Sequence, residues 1–365
     1  MRYFLELCLQ SVTAALEGIP SEIIVIDNDS KDNSCAMIQT KFPNVIVIEN
    51  QNNIGFSKAN NQAVKQAKGE FICILNPDTV VSEDTFHKAI KFAEGKSNLG
   101  IVGCRMINGS GQFLPESKRH VPTIRIAFQK LMGFSKNYYA TTVPENSSCE
   151  VDVLTGAFML MQRELYQSLE GFDEDFFMYG EDIDLCYRVQ KSGYKNYYFS
   201  DSTIIHFKGE STLKNKTYFK WFYGAMQLFH DKHFKSKKAV SFAVRIITEL
   251  LPRVLPKLDL KKSNPPNSKS VSILQPHSEA SWLSRIEVHS VSNTDELRKN
   301  QKIDLVLDTT CLTFKQIIHH INTYKTPNVS FKIWPKHTTY CVGSDVSNRR
   351  GEVIHFDRFE YRTYF

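Results

Sequence analysis

The chain of 365 residues is 42% hydrophobic and 23% charged, which is ordinary for a folded globular protein and excludes a disordered one. Its net charge of +6 is mildly basic, but the basic residues form no recognisable binding module, so we expect no nucleic-acid partner. The eight cysteines include no CxxC pair, which indicates buried thiols rather than disulfides or a zinc site.

The beginning of the chain predicts a helix. It shows an amphipathic helical pattern rather than a signal peptide, and no run of about 18 apolar residues follows that would form a transmembrane helix. The apolar face of this first helix comprises Leu5, Cys8, Leu9 and Val12. The sequence therefore predicts a cytoplasmic protein.

Three apolar runs come next, and each is typical of a buried parallel strand that delivers polar groups at its carboxyl end. The runs are SEIIVIDNDS, VIVIEN and GEFICILNPDTVVS, which end in Asp27 to Ser30, in Glu49 and Asn50, and in Asn76 to Asp78. Helices are predicted over residues 32–41, from about Ser57 after a glycine-marked loop, and from Asp84.

The alternation of strands and helices continues to residue 206. GIVGCRMI and VDVLTGAFMLMQREL read as strands, the second of which runs into a helix, and KNYYFSDSTIIHF is a strand with His206 near its end. Residues 109–150 form a polar, aromatic insertion with weak periodicity. This order predicts an α/β fold with a mixed, mainly parallel sheet between helices.

An acidic stretch from Gly171 to Arg188 reads GFDEDFFMYGEDIDLCYR and contains six carboxylates between aromatic residues. Carboxylates beside apolar side chains are prone to perturbed pKa values. Glu181 and Asp182 follow Gly180 and fall in the first turn of a predicted helix, where the macrodipole favours anions. A solvated acidic helix start explains the same pattern, and the stretch alone does not decide between the two.

Polar groups at several strand ends suggest one cleft. In a parallel sheet, Asp27, Asp78 and the Glu181/Asp182 pair would converge on one edge, with His206 nearby. A carboxylate such as Asp78 is a candidate ligand for a hard divalent cation that also binds phosphate oxygens. A second carboxylate, held unpaired near neutrality, would take the proton from an attacking hydroxyl.

The motifs IDNDSKDNS, NNIGFSKANN, LNPDTVV, LTGAFMLMQRE, GFDEDFFMYGEDIDLCYR and HFKGES, in this order, resemble those of the family 2 glycosyltransferases, especially the rhamnosyltransferase-like branch. The resemblance covers roughly residues 3–212. It implies the GT-A type nucleotide-diphosphosugar transferase fold and metal-dependent, inverting transfer with Mg²⁺ or Mn²⁺.

The resemblance also implies roles for single residues. Asp182 matches the catalytic base, with Glu181 beside it, while Asp78 and His206 match metal ligands. Asn76 replaces the first aspartate of the family's DxD motif, so metal binding is expected to depend more on the donor's phosphates. Donor binding is implied for Asp27, which matches the aspartate that contacts the nucleotide base, and for Asn28, Asp29, Asn53, Gly55, Asn60, Asn76, Gly156 and Ala157.

Each of these roles has a structural alternative. Asp27 and Asp29 would cap the following helix, which is what such residues most often do. Asn76 to Asp78 would form an ordinary turn. His206 would be a hydrogen-bonded structural histidine.

One departure from the family concerns the first strand. Family members begin with a strand before the helix that is the first element here, and that strand contributes to the nucleotide pocket. Its absence would expose apolar neighbours and unpaired backbone groups. We therefore expect the chain as written to have low stability or to be inactive.

The remainder of the chain changes character. Residues 216–262 are aromatic, then basic and amphipathic, and form either a helical cover on residues 1–215 or an interfacial helix on an anionic membrane surface. Residues 263–270 read as a linker. Residues 271–365 alternate between strands and helices without a glycine-rich phosphate loop, which indicates a small α/β unit of structural or partner-binding role.

Together these features predict an inverting glycosyltransferase. It would move a sugar, with rhamnose as one candidate, from a nucleotide-diphosphosugar donor to a hydroxyl of a lipid-linked or polysaccharide acceptor in cell-surface glycan synthesis. The enzyme would lie in the cytoplasm or peripherally on the inner face of the cell membrane. Two alternatives stay open: an inactive nucleotide-sugar-binding or scaffold protein, and a nucleotidyltransferase.

Overall fold

The computed structural model describes residues 1–123, 126, 138–208, 216–234, 270–274, 303–344 and 351–355. The predicted linker, apart from Ser270, and residues 235–262 of the basic segment lie outside these stretches. Within them, no helix has both the length and the apolar composition needed to cross a membrane.

The helices and strands alternate along the first 206 residues. The helices of the described stretches are α1 (Arg2–Ala15), α2 (Ser34–Lys41), α3 (Phe56–Gln66), α4 (Thr85–Glu94), α5 (Arg163–Ser168), α6 (Glu181–Lys191), α7 (Lys216–His233) and α8 (Phe314–Thr323). The strands are β1 (Ile24–Asp27), β2 (Ile46–Glu49), β3 (Phe71–Leu75), β4 (Thr79–Val80), β5 (Leu99–Ile107), β6 (Cys149–Val151), β7 (Phe158–Gln162), β8 (Lys195–His206), β9 (Ser270–Leu274), β10 (Ile303–Asp308), β11 (Val329–Trp334), β12 (Tyr340–Gly343) and β13 (Glu352–His355).

The first 206 residues form two sheets. Strands β1 and β2 pair in parallel, and a six-stranded sheet has the order β3-β7-β5-β8-β4, with β6 paired to β8. Apolar side chains of α1 and α4 join strands of the larger sheet in one core, which includes Val12, Phe86 and Phe158. The predicted α/β fold with a mixed sheet between helices is confirmed, as is the first helix, whose predicted apolar face is buried.

The sheets differ from the prediction in direction and burial. In the six-stranded sheet only β5 and β8 pair in parallel, because β7 runs antiparallel between β3 and β5. Strand β2, predicted to be buried, has an exposed residue at each end, and in β1 only Asp27 is buried. The reason is that these two strands form a sheet of their own among the described residues, so their faces are only partly covered.

The described part of residues 270–355 forms a mixed five-stranded sheet of order β13-β12-β11-β10-β9, with α8 between β10 and β11 in the chain. Helix α8 begins with a capping box between Thr313 and Gln316. Its apolar residues Phe314, Ile317, Ile318 and Ile321 are buried.

This C-terminal unit packs against the first one. One hydrophobic cluster contains Val80, Ile205 and Phe207 from the sheet of the first unit together with Leu307 and Phe331 of the second. The Glu83 carboxylate also accepts the backbone N–H of Phe314 at 2.6 Å and of Lys315 at 2.9 Å. It thus satisfies free donors at the positive end of α8.

We expect Glu83→Ala to lower the free energy of unfolding by about 1 kcal/mol, the usual effect of removing a helix N-terminal acceptor. Chemical denaturation of the full chain measures the difference. Glu17→Ala, at an exposed glutamate near the end of α1, serves as the matched control and should change little. Equal stability of Glu83→Ala and Glu17→Ala would show that the contact to α8 contributes nothing.

Candidate active site

The first part of the site lies where β3 leads into β4. The antiparallel pairing of β4 with β8 sets Thr79 opposite His206, which brings the Asp78 side chain to the end of β8. His206 Nε2 is 3.3 Å from Asp78 Oδ1 and 3.4 Å from Asn76 Nδ2. The predicted convergence of Asp78 and His206 is therefore observed, and the Asn76–Asp78 turn is what produces it.

These residues fit a divalent cation that is shared with a ligand. Asp78 is 3% exposed, and its Oδ1 has no hydrogen-bond partner among the described residues; the same holds for His206 Nδ1. A buried carboxylate oxygen without a donor is costly, and a bound cation would remove that cost. The described residues contain no group of three or more His, Cys, Asp or Glu that could hold a metal, so water or phosphate oxygens would complete the coordination.

The loop between β6 and β7 joins this part of the site to the acidic helix. Ala157 O accepts the backbone N–H of Asn76 at 3.1 Å, and the N–H of Gly156 donates to Asp182 Oδ2 at 3.1 Å. Gly156 and Ala157, which are consecutive in the chain, thus contact Asp182 and the Asn76 turn, respectively. Gly156 and Ala157, predicted to line the donor sugar, lie between the Asn76 turn and Asp182.

Asp182 differs from the prediction in one respect. The base was expected to be unpaired, whereas Arg119 Nη2 donates to Asp182 Oδ2 at 2.5 Å. The charge of Asp182 holds the pKa of Arg119 well above its usual range, although burial alone would lower it. Sequence reasoning missed Arg119 because it lies in the weakly periodic insertion 109–150, and only a strand pattern or a spacing rule would have marked it.

Glu181, the neighbour of Asp182, has a carboxyl group with a raised pKa. Its side chain is buried, and its Oε2 has no hydrogen-bond partner within the described stretches. Burial, followed by the negative charge of Asp182, raises the pKa of Glu181 from 4.5 to about 8. Burial and the neighbouring charge thus favour the neutral form of Glu181, in agreement with the predicted perturbation of a carboxylate in this stretch.

Three predicted donor-binding residues lie in a hydrogen-bonded network after β1. Asn28 Nδ2 donates to Gly55 O at 3.1 Å, and the amide of Asn50 donates to Asn28 Oδ1 at 3.0 Å. Asn53 Oδ1 accepts the N–H of Gly55 at 3.0 Å. The polar ends of β1 and β2 thus meet the glycine loop, as parallel pairing of the two strands requires.

Asp27 and Asp29 do not cap helix α2. Its N-cap residue is Asn33, which makes no side-chain cap hydrogen bond, while Asp27 Oδ1 accepts the N–H of Ser30 at 2.8 Å. Asp29 pairs with Lys31 and has a φ of 66°. The capping alternative is therefore wrong, and both carboxylates stay at the end of β1.

Helix α3 fixes the acidic stretch. Gly55 has a φ of 90°, and a Cβ there would lie 2.7 Å from Phe177 O, so glycine is required for the close approach. The N–H of Phe56 donates to Phe177 O at 2.8 Å, and Asn61 Nδ2 donates to Phe172 O at 2.8 Å. Asn61 was missed by sequence reasoning, whereas the predicted Asn60 donates to Phe56 O within its own helix at 2.9 Å.

Helix α7 covers the other side of the acidic stretch. His233 Nε2 lies 2.6 Å from Asp184 Oδ1, and Arg188 Nε donates to Asp184 Oδ2 at 2.7 Å. The Asp184–Arg188 pair lies within α6, four residues apart, so Asp184 stabilises its own helix. Lys232 pairs with Asp173 and Asp175, which places these two carboxylates in structural contacts.

We expect Glu181→Gln to stabilise the chain increasingly as the pH rises from about 5 to 8. A raised folded-state pKa means that wild-type stability is complete below the unfolded pKa of 4.5 and is lost as pH rises through about 8. Glutamine does not ionise, so the variant does not lose this stability as the pH rises. Melting temperatures across this range measure it, with Glu164→Gln at an exposed glutamate as the control. A constant difference from wild type at all pH values would contradict the raised pKa.

Comparison with known protein families assigns two parts of the chain. Residues 3–169 match the model described as Glycosyl transferase family 2, and residues 145–210 match the model described as the N-terminal domain of galactosyltransferase. The first match contains Asp27 and Asp78, and the second contains Asp182 and His206.

Two curated proteins are similar to part of the chain. An N-acetylglucosaminyl-diphospho-decaprenol L-rhamnosyltransferase of Mycobacterium tuberculosis is 27% identical over 225 residues, which are 57% of this chain and 73% of that protein. Rhamnosyltransferase WbbL of Escherichia coli is 29% identical over 163 residues, 42% of this chain and 61% of that protein.

Among solved structures, the mannosyltransferase PcManGT from Pyrobaculum calidifontis is 17% identical with a TM-score of 0.45, covering 69% of this chain and 68% of that one. The family match together with the mixed sheet between helices gives the fold, which is of the GT-A type. Over residues 3–169, the chain is thus similar to glycosyl transferase family 2.

Proposed function

We propose that the chain is an inverting glycosyltransferase that transfers a sugar from a nucleotide-diphosphosugar donor to a hydroxyl of a lipid-linked or polysaccharide acceptor. The observation that carries this is the 156–157 loop, which contacts the Asn76 turn on one side and Asp182 on the other. A single displacement needs a diphosphate site and a proton acceptor close to one another, and this loop contacts the residues proposed for both.

The donor diphosphate would bind beside Asp78 and His206. These two side chains would hold Mg²⁺ or Mn²⁺, with the phosphate oxygens completing the coordination. Such a cation, when bound, neutralises the charge that develops on the leaving diphosphate. Asn76, which replaces a carboxylate, leaves the protein side of this site with less negative charge, so the cation would bind together with the donor.

The acceptor hydroxyl would lose its proton to Asp182. Its oxygen forms a bond to the anomeric carbon while the bond from that carbon to the diphosphate oxygen breaks, and the nucleoside diphosphate leaves with the electron pair. Attack opposite the leaving group inverts the anomeric configuration. Burial and the charge of Asp182 raise the pKa of Glu181, which makes Asp182 rather than Glu181 the proposed base.

The names of the relatives support a finer proposal. Both are rhamnosyltransferases, and the name of one gives a diphosphate-linked N-acetylglucosaminyl lipid as its substrate. We therefore propose L-rhamnose as the donor sugar and a lipid diphosphate-linked saccharide as the acceptor, in cell-surface glycan synthesis.

The same acceptor would suit a peripheral position on the inner face of the cell membrane. In α7, Ala225, Met226 and Phe229 are buried in the core of the first unit, so this part of the basic segment is a structural cover. The contact with an anionic membrane would therefore involve the basic residues from 235 to 262, which lie outside the described stretches.

We expect Asp182→Asn to lower kcat by about 100- to 10,000-fold, because loss of a general base typically has this effect. Transfer is measured with a panel of nucleotide sugars that includes nucleotide-linked L-rhamnose, with Mn²⁺ and a lipid diphosphate-linked N-acetylglucosamine acceptor. Asp175→Asn, at an exposed aspartate of the same stretch, should keep wild-type activity. Donor binding without turnover by the wild type would favour the binding-protein alternative instead.

We expect Asp78→Asn to abolish the Mn²⁺-dependent part of donor binding, because it removes the carboxylate oxygen that lacks a partner. Calorimetry of nucleoside diphosphate binding with and without Mn²⁺ measures this directly. Asp201→Asn, at an exposed aspartate in β8, is the control. If Mn²⁺ tightens binding to Asp78→Asn as much as to the wild type, Asp78 is not a metal ligand.

A further inference from the structure

Arg119 is a buried arginine that contacts the candidate base Asp182 and two further groups. Its side chain is 9% exposed, and that of Asp182 is 13% exposed. Nη2 donates to both Asp182 Oδ2 and Leu154 O, the latter at 2.7 Å, and Nη1 lies 3.4 Å from the Tyr138 hydroxyl. The contacts with Leu154 O and the Tyr138 hydroxyl therefore help to fix the guanidinium independently of its contact with Asp182.

The backbone of Arg119 is fixed as well. Arg119 and Val153 exchange two backbone hydrogen bonds of 2.9 and 3.0 Å, and Arg119 also forms an isolated bridge with Tyr139. Val153 is three residues from Gly156, so the arginine and the loop that contacts Asp182 belong to one hydrogen-bonded unit. The position of the guanidinium is thus set by the same backbone that positions the loop.

The two carboxylate oxygens of Asp182 accept different numbers of hydrogen bonds. Oδ2 accepts from both Arg119 and Gly156, whereas Oδ1 accepts from the N–H of Ile183 at 2.8 Å. A carboxylate offers about four acceptor positions, two on each oxygen. Among the described residues, Oδ1 therefore keeps one acceptor position free, while both positions of Oδ2 are used.

We propose that Arg119 is a positioning residue for transfer: it anchors Asp182 through Oδ2, leaves Oδ1 for the acceptor hydroxyl, and keeps the negative charge of the Glu181/Asp182 pair on Asp182. This inference rests on the function proposed above. Arg119 acts through Asp182, so it contacts neither the donor nor the acceptor.

The charges around the pair agree with this role. Two adjacent buried carboxylates cannot both be ionised without a cation, because like charges at short range in a poorly solvated site repel strongly. Arg119 is the cation that contacts Asp182, while Arg188 and His233 contact Asp184 one turn away. The other titratable groups near the pair are the thiol of Cys186 and the hydroxyl of Tyr138, and burial raises the pKa of Cys186 to about 12.

If Arg119 were removed, the two adjacent carboxylates would lose the cation that contacts them, and they would share one proton. The acid limb of the activity profile should then move to higher pH.

The test uses the full chain with Arg119→Met and Arg119→Lys, and measures kcat, KM and donor affinity from pH 5.5 to 9.5. We expect Arg119→Met to lower kcat about 100-fold, to move the acid limb up by about one pH unit or more, and to leave donor affinity unchanged. Methylguanidine should partly restore its kcat. Arg163→Met, at an arginine that donates to Gly69 O away from the site, is the control.

Arg119→Lys keeps the charge but loses the planar fork, so we expect a kcat about 10-fold below wild type with the acid limb unmoved. This variant also carries the test if Arg119→Met does not fold: wild-type kcat in Arg119→Lys would overturn the positioning role. A fall in kcat at every pH with an unmoved acid limb in Arg119→Met would likewise overturn it, and a loss of donor affinity would assign Arg119 to the donor. Failure of the wild type to transfer any sugar would instead count against the proposed function.

Discussion

The candidate site depends on the buried ion pair between Arg119 and Asp182. Removing two charges from water is expensive, and their attraction compensates only when the remaining donors and acceptors are also satisfied. Here the carbonyl of Leu154 and the N–H of Gly156 supply such contacts. The pair thereby ties the insertion, the 153–157 loop and helix α6 together, and the geometry around Asp182 exists only when all three are in place.

The charge of each carboxylate in the acidic stretch depends on the side chains that contact it rather than on the composition of the stretch. Asp173 and Asp175 pair with a lysine, Asp184 pairs with an arginine and a histidine, Asp182 pairs with an arginine, and Glu181 has a raised pKa. Carboxylates a few residues apart thus differ in charge and in role. The partners come from α7, from α6 itself and from the insertion, so the charge of each carboxylate is set by tertiary structure.

Sequence patterns predicted most of what local rules control. The first helix, the strand ends at Asp27 and Asp78, and the proximity of Asp78 to His206 follow from periodicity and from the way strands deliver polar residues to one edge. The role of Arg119 did not follow, because isolated bridges to Val153 and Tyr139 hold it and such pairings leave no period in the sequence. The burial of β2 was overestimated because an apolar run shows which residues prefer the interior, not how many layers cover them.

The shared core between the two units affects how the side chains of Asp78 and His206 are positioned. Val80 and Phe207 follow Asp78 and His206 closely in the chain, and both pack in the cluster that includes Leu307 and Phe331 of the C-terminal sheet. Close-packed interiors transmit displacement because they have little free volume. The spacing of two side chains in the first unit is therefore governed partly by residues more than a hundred positions later. The C-terminal unit therefore contributes part of the packing behind the edge that carries Asp78 and His206.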